Sequence, residues 1–194
     1  MQQRSGLGLV LKLGLFCLLI AALASAQVSV WTQRGDAARD GLNANETTLT
    51  LSVVNTNSFG KLFNLPTDGY VYAQPLYVPS VAIPNQGTHN VLYIATEHNS
   101  VLAYDADGNT YQPLWQHNLT AITCPKGWTC TTVPATDAPN RAGLVPEVGI
   151  TGTPVIDASN NIIYVVAKTK EVSGGTVNYV YRLVNAPMVR HLCN

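Results

Sequence analysis

Short apolar runs of strand length alternate with Gly, Pro, Asn and Asp along most of this chain. Such runs, bounded by turn-forming residues, are typical of β-strands, and the 3.6-residue spacing of amphipathic helices is nearly absent. The pattern therefore predicts an all-β fold. It predicts strands at residues 28–33, 61–65, 70–78, 91–96, 100–105, 113–118, 153–157, 161–168 and 177–183. A helical turn is predicted only for residues 48–55.

The first 26 residues have a different pattern. Arg4 and Lys12 precede an apolar run at residues 13–23, and Ala24-Ser25-Ala26 follows it. A basic start, a short apolar run and a small-residue site are the parts of a signal peptide, so we predict cleavage after Ala26. The run is shorter than the roughly 20 apolar residues of a spanning helix, although a retained membrane anchor is the alternative. We therefore expect a secreted or periplasmic protein with no stable membrane span after cleavage.

Charge is sparse in the remainder of the chain. Removal of the predicted signal peptide takes away two of the eleven basic residues and none of the eleven acidic ones. The charged fraction of the whole chain is 11%, less than half the usual value of roughly 25%. There is no basic stripe of the kind that binds phosphate backbones, so the sequence argues against a nucleic-acid partner.

Three cysteines lie outside the predicted signal peptide. Cys124 and Cys130 are separated by five residues, and in an oxidising compartment we expect them to form a disulfide. A metal site is the alternative, but two thiolates without nearby Cys or His partners make an incomplete zinc set, so no metal is predicted. Cys193 is then unpaired, which is unusual in an exported protein.

The strands recur as a unit. Residues 72–77, 91–95 and 101–104 are followed by a similar series at residues 151–155, 162–166 and 179–181. If the long cysteine-bearing insertion at residues 119–148 is left out, each unit is roughly the size of a four-stranded propeller blade, about 40 to 50 residues. Pro75 and Pro154 hold the same place in the two units.

Several stretches resemble the repeat of pyrroloquinoline-quinone-like (PQQ-like) β-propellers. They include Ala73-Gln74-Pro75-Leu76-Tyr77, Val101-Leu102-Ala103-Tyr104-Asp105 and Leu114-Trp115. Residues 39–43, 59–63 and 149–157 are similar to stretches of large exported bacterial proteins with such repeats, and the similarity runs from about residue 31 to 181. The resemblance implies a partial propeller of four-stranded antiparallel blades. The ring would be incomplete, because characterised propellers have about four to eight blades.

This resemblance divides the chain into consecutive parts. An N-terminal strand and turn segment at residues 27–60 precedes the blades at 61–181, of which one is nearly complete and one partial. The tail at residues 182–194 departs from the repeat, in which a strand would end in a Leu-x-Ala-x-Asp type of turn. We therefore expect a truncated N-terminal fragment of a longer propeller protein.

Polar residues at matching strand ends form the candidate ligand site. Glu97 and His98 follow the strand that ends at Thr96, and Lys168 has the equivalent place in the second unit. Such residues, together with Glu147, are expected at one mouth of the propeller, where ligands usually bind. His98 could titrate near neutral pH, and either glutamate could act as a base or a metal ligand. The alternative is a set of solvated hairpin ends.

These propellers include dehydrogenases, scaffolds and other proteins, so the fold does not define the function. Our first hypothesis is a non-catalytic module that binds a polymer, a sugar or a protein partner. The alternative is part of an oxidoreductase that binds PQQ with calcium. The sequence has neither the adjacent cysteines nor the calcium set that the resemblance associates with such enzymes, so no cofactor is evident and catalytic residues stay undefined.

Overall fold

The computed structural model describes residues 28–138 and 143–189. Strands dominate this part of the chain, and all strand pairs are antiparallel, which confirms the all-β prediction. The predicted signal peptide and Cys193 lie outside the described residues. No helix in the described residues has the length and apolar character needed to cross a bilayer.

The described part of the chain contains ten strands and one short α-helix. In chain order they are β1 (Leu76–Ile83), β2 (Gly87–Ala95), β3 (Ser100–Asp105), β4 (Trp115–Asn118), α1 (Leu119–Thr123), β5 (Thr129–Thr131), β6 (Val133–Pro134), β7 (Glu147–Val148), β8 (Val155–Asp157), β9 (Ile162–Ser173) and β10 (Thr176–Pro187). A single 3-10 turn, Ala135–Asp137, follows β6. Strands β6 and β7 pair with each other as a small ribbon.

Sheet 1 is a four-stranded meander in the order β1, β2, β3, β4. Sheet 2 is built on the long pair β9 and β10, which is in register over the full length of both strands. Both β8 and β5 pair with the other edge of β9, at its beginning and near its end respectively. The cysteine-bearing insertion therefore contributes one strand to sheet 2.

The two sheets repeat the same register. Leu76 pairs with Tyr93 in sheet 1, and Val155 pairs with Tyr164 in sheet 2. Pro75 and Pro154 immediately precede the first strands, β1 and β8. Proline cannot donate a ladder hydrogen bond, so it is tolerated at the start of an edge strand such as these.

One hydrophobic core lies between the two sheets, and unlike faces of the sheets meet in it. In sheet 1 the core-facing row includes Leu76 and Tyr93, which are almost fully buried. In sheet 2 the equivalent residues, Val155 and Tyr164, point away from the core. The alternate row, with Ile156 and Ile163, enters the core instead. The two sheets are therefore stacked in the same sense, with the front of one against the back of the other. Two sheets related by a two-fold axis would instead present the same row to each other.

Hydrogen bonds also connect the two sheets through the core. The Trp115 indole Nε1 donates to the Met188 carbonyl at 3.0 Å, and the Tyr93 hydroxyl donates to the same oxygen at 3.3 Å. Both donors are buried in sheet 1, whereas Met188 follows β10. Buried Trp and Tyr side chains need such partners, so this contact fixes the end of β10 against sheet 1.

The far side of sheet 1 is covered by an irregular segment. The predicted strand at residues 61–65 is wrong, because this segment makes no ladder and instead packs Leu65 against Ile94 and Leu102. Residues 28–33 form only isolated bridges, of which one pairs Val30 with Tyr77. Within the predicted helical turn at residues 48–55, the Val53 and Val54 N–H groups donate to the Thr50 carbonyl at 3.0 and 2.9 Å, so a single turn forms without a regular helix.

The ends of two strands differ from the prediction. Strand β1 begins at Leu76 rather than at residue 70 and continues to Ile83. Strand β10 continues to Pro187, so the first part of the predicted irregular tail is strand. This extension has a physical reason, since Val184 and Ala186 continue the alternation of β10 and pack in the core.

Candidate functional site

Glu97 lies in the tight connection between β2 and β3 and is fully buried. Its Oε2 accepts hydrogen bonds from the Gly149 main-chain N–H at 2.6 Å and from the Thr151 hydroxyl at 3.2 Å. A carboxylate that accepts a buried main-chain N–H makes a strong, charge-assisted hydrogen bond. This contact attaches the segment before β8 to the β2–β3 connection.

His98 and Glu147 form the more exposed part of the same region. His98 Nδ1 lies 2.8 Å from Glu147 Oε1, and the Thr132 hydroxyl donates to Glu147 Oε2. The His98 side chain is 47% exposed and that of Glu147 is 20% exposed. The structure therefore brings together Glu97, His98 and Glu147, three of the four predicted site residues.

Lys168, the fourth predicted residue, takes part only through its main chain. Its carbonyl accepts a hydrogen bond from Asn99 Nδ2 at 2.9 Å, and its N–H donates to the Gly149 carbonyl at 3.3 Å. The side chain lies on the outward face of sheet 2, where its ammonium is 5.1 Å from the centre of the Tyr181 ring. The ammonium is thus on the other face of the sheet from the Glu97 carboxylate.

Two buried oxygen atoms of this cluster lack partners. Neither Glu97 Oε1 nor Asn99 Oδ1 has a hydrogen-bond partner among the described residues. Orphaned oxygens of this kind are usually satisfied by buried water or by a cation. However, the described residues include no group of three acidic, histidine or cysteine side chains that could hold a metal ion.

The calcium and PQQ of the alternative hypothesis do not fit these residues. Glu97 accepts hydrogen bonds from Gly149 and Thr151, whereas Glu147 contacts His98 and Thr132. Cys124 and Cys130 are joined in a separate loop. The predicted disulfide is confirmed. A calcium ion bound with a quinone needs several convergent oxygen ligands, which the predicted site residues do not supply.

Asp68, which the sequence analysis did not identify, joins the covering segment to sheet 1. Its carboxylate accepts hydrogen bonds from the Thr96 hydroxyl at 3.0 Å, the Ser100 hydroxyl at 2.5 Å and Gln116 Nε2 at 2.7 Å. A shallow cleft of ≈ 350 Å³ lies between this residue and Glu147. A single aspartate in an irregular segment has no sequence signal that would mark it, because its partners lie 28 to 48 residues away.

A larger cleft, of ≈ 750 Å³, lies between the N-terminal segment and β8, the first strand of sheet 2. Residues 30–31 connect β1 with β8, because the Val30 N–H donates to the Tyr77 carbonyl and the Ile156 N–H donates to the Trp31 carbonyl, both at 2.8 Å. The cleft is lined by Trp31, Thr32, Asp36, Ala37, Arg39, Val155, Ile156, Asp157 and Ala158. Its volume is within the range of small-ligand sites, about 300 to 1,000 Å³.

The chemistry of this cleft is mixed. Trp31 is half-buried and offers an aromatic surface, whereas Asp36 and Arg39 are exposed and offer acceptors and donors. Asp157 is less available, because Ser159 and Asn160 donate hydrogen bonds to its carboxylate. No sequence pattern marks this cleft, because the N-terminal segment and β8 are more than 100 residues apart in the chain.

His89 and Asp105 form a second His–carboxylate pair, on β2 and β3. His89 Nδ1 lies 2.8 Å from Asp105 Oδ2. The hydrogen bond to Asp105 raises the pKa of His89 above its usual value. Burial alone would raise the pKa of Asp105, but hydrogen bonds from Asn109 and His89 hold it below its usual range. The pair therefore connects the neighbouring strands β2 and β3 at one end of sheet 1.

Comparisons of the chain with protein families, with curated protein sequences and with solved structures found no match.

Proposed function

We propose that this chain is an exported propeller-type repeat module of the PQQ-like kind that acts by binding a ligand rather than by catalysis. The observation that carries the proposal is the same-sense stacking of two sheets with one register, Leu76 with Tyr93 and Val155 with Tyr164. Blades of a propeller stack in this way around an axis. The first strands of the two sheets then lie on the axial side, where propellers commonly have a ligand site.

The cleft at Trp31 is the binding site in this proposal, and a sugar is the ligand class that fits it best. A pyranose ring has apolar faces that can stack on an indole and hydroxyl groups around its edge. Asp36 can accept hydrogen bonds from hydroxyls and Arg39 can donate to them, so these two residues supply an acceptor and a donor beside the ring. The predicted residues around Glu97 support the site indirectly by attaching the second sheet to the first.

The proposal is tested with the purified chain and a panel of neutral and uronic-acid oligosaccharides, by titration calorimetry and tryptophan fluorescence. We expect saturable binding of at least one sugar, weakened at least about tenfold by Trp31→Ala, which is a loss of about 1.4 kcal/mol. Arg39→Gln should weaken it too, and this exposed side chain can change without disturbing the core. Arg34→Gln is the matched control, because Arg34 is also exposed, has a similar positive φ and does not line the cleft.

Two results would overturn the proposal. One is the absence of sugar binding, or binding that Trp31→Ala and Arg39→Gln leave unchanged. The other is saturable uptake of PQQ in the presence of calcium, with a quinone absorbance and dye reduction, which would make the chain part of an oxidoreductase.

A further inference from the structure

The outward face of sheet 2 exposes a row of large apolar side chains along β10 and further ones on β8 and β9, with Lys168 and Lys170 opposite the two tyrosines of β10. The apolar residues are between 42% and 72% exposed and alternate along neighbouring strands; they are Val155, Val166, Val177, Tyr179, Tyr181 and Leu183. Strands β9 and β10 have 12 residues each, so this face extends for about 40 Å and covers on the order of 400 Å². Patches of this size on a single chain commonly mark an interaction surface.

The register relates this face to one that is already buried in the molecule. Leu183 pairs with Val166, as Val101 pairs with Ala95 in sheet 1. Val101 and Ala95 are almost fully buried against sheet 2, whereas Leu183 is 72% exposed. Equivalent positions therefore form an apolar contact surface in sheet 1, whereas in sheet 2 no segment of the described residues covers them.

The charges on this face do not require a charged partner. The Lys170 ammonium lies 2.6 Å from Asp137 Oδ2, and the Tyr179 hydroxyl donates to the same oxygen at 3.0 Å. Lys168 places its ammonium over the Tyr181 ring. Long basic side chains of this kind can keep their charged ends at a rim while their stems cover apolar surface.

We propose that this face is the interface of a dimer formed with a second copy of the chain, related to the first by a two-fold axis. The face of sheet 1 that could extend the stacking order of the two sheets is the one with Ile94, Leu102 and Tyr104. In a second copy this face is already covered by the segment that contains Leu65. Like faces must therefore meet. If the axis runs across the strands, the aliphatic end at Val155 and Leu183 of one copy lies against the tyrosine end of the other.

The expected size of the interface agrees with a weak dimer. Two faces of on the order of 400 Å² each bury about 800 Å² in total, which is below the size of stable interfaces and typical of weak, transient ones. The dimer face shares only Val155 with the cleft at Trp31, so a substitution at Leu183 tests the dimer without changing a residue of the sugar site.

The test is light scattering during size-exclusion chromatography of the full chain over a range of concentrations. We expect a mass twice that of one chain at high concentration, and a dissociation constant raised at least tenfold by Leu183→Lys. The control is Leu51→Lys, since Leu51 is fully exposed and lies outside this face. Thermal unfolding at low concentration should be the same for both variants, because Leu183 is exposed in the single chain.

Three outcomes would overturn the dimer proposal. One is a chain that stays monomeric at the highest concentration. Another is an open-ended series of larger assemblies. The third is a dimer that Leu183→Lys does not weaken, because such a dimer would use another surface, such as the edge of β10, or a disulfide through Cys193, which non-reducing electrophoresis would show.

Discussion

Substitution of Gly149 by alanine tests the contact that joins the two sheets. An ideal Cβ at this position would lie 2.1 Å from the Glu97 main-chain oxygen and 2.7 Å from Asn99 Oδ1. Ordinary contacts between such atoms begin near 3.4 Å, so the segment that contains Gly149 and the β2–β3 connection that contains Glu97 must separate by about 1 Å. The atom in the way belongs to the main chain of Glu97, which cannot rotate aside as a flexible side chain could.

The cost follows from two terms. Overpacking of a well-packed site costs about 1 to 3 kcal/mol. Separation of the segments also breaks the 2.6 Å hydrogen bond from the Gly149 N–H to the Glu97 carboxylate, and a hydrogen bond to a charged group contributes about 1.5 to 3 kcal/mol. We therefore expect a loss of about 3 to 6 kcal/mol, a large part of the roughly 5 to 15 kcal/mol that stabilise a domain.

The assay is urea denaturation together with thermal unfolding, for which this loss corresponds to a fall in midpoint of about 10 to 20 °C. Gly152→Ala is the matched control, because no atom lies within 4 Å of its ideal Cβ and its φ is not in the left-handed region. This control should change stability by less than about 1 kcal/mol. Equal stability of Gly149→Ala and Gly152→Ala would refute the idea that the Glu97 connection holds the two sheets together.

Two further predictions concern pH and the disulfide. The pKa of His89 is raised in the folded chain by Asp105, so its stabilising effect is fully present below the unfolded pKa of about 6.5 and is lost as pH rises through the higher folded pKa. Urea denaturation between pH 5.5 and 8.5 should show this decline, and a decline of equal size in His89→Gln would contradict it. Replacement of both Cys124 and Cys130 by serine should cost about 2 kcal/mol, the loop-closure value for so short a loop. Unchanged denaturation of the double variant would show that the bond does not stabilise the fold.

Sequence pattern was sufficient where alternation and turn residues agree. The predicted strands at residues 91–96 and 100–105 correspond closely to β2 and β3. Strand β1 was only partly predicted because Pro79 and Ser80 interrupt it. The structure accommodates them at a register shift between Val78 and Val81, on an edge strand where a missing N–H is tolerated.

The candidate site shows what a local pattern cannot supply. Glu97 and His98 were placed correctly at a strand end, but their roles depend on partners about 50 residues away. Glu97 is fully buried and bonded to Gly149, whereas its neighbour His98 is half-exposed. Alternation identifies which residues can face a core, but it does not identify which distant segment will cover them.

The apolar run in β9 connects the stacking of the sheets with the exposed face. Residues 162–167 are apolar without interruption, a pattern typical of strands that are buried on both faces, whereas a sheet with one wet face alternates. In the described structure one row, which includes Ile163 and Val165, is buried against sheet 1, and Val166 in the other row is 47% exposed. A run of this kind is expected when the second face is also covered in the functional state. The dimer proposal supplies such a cover, and the position of Val166 opposite Leu183 explains why a charge at Leu183 should weaken it.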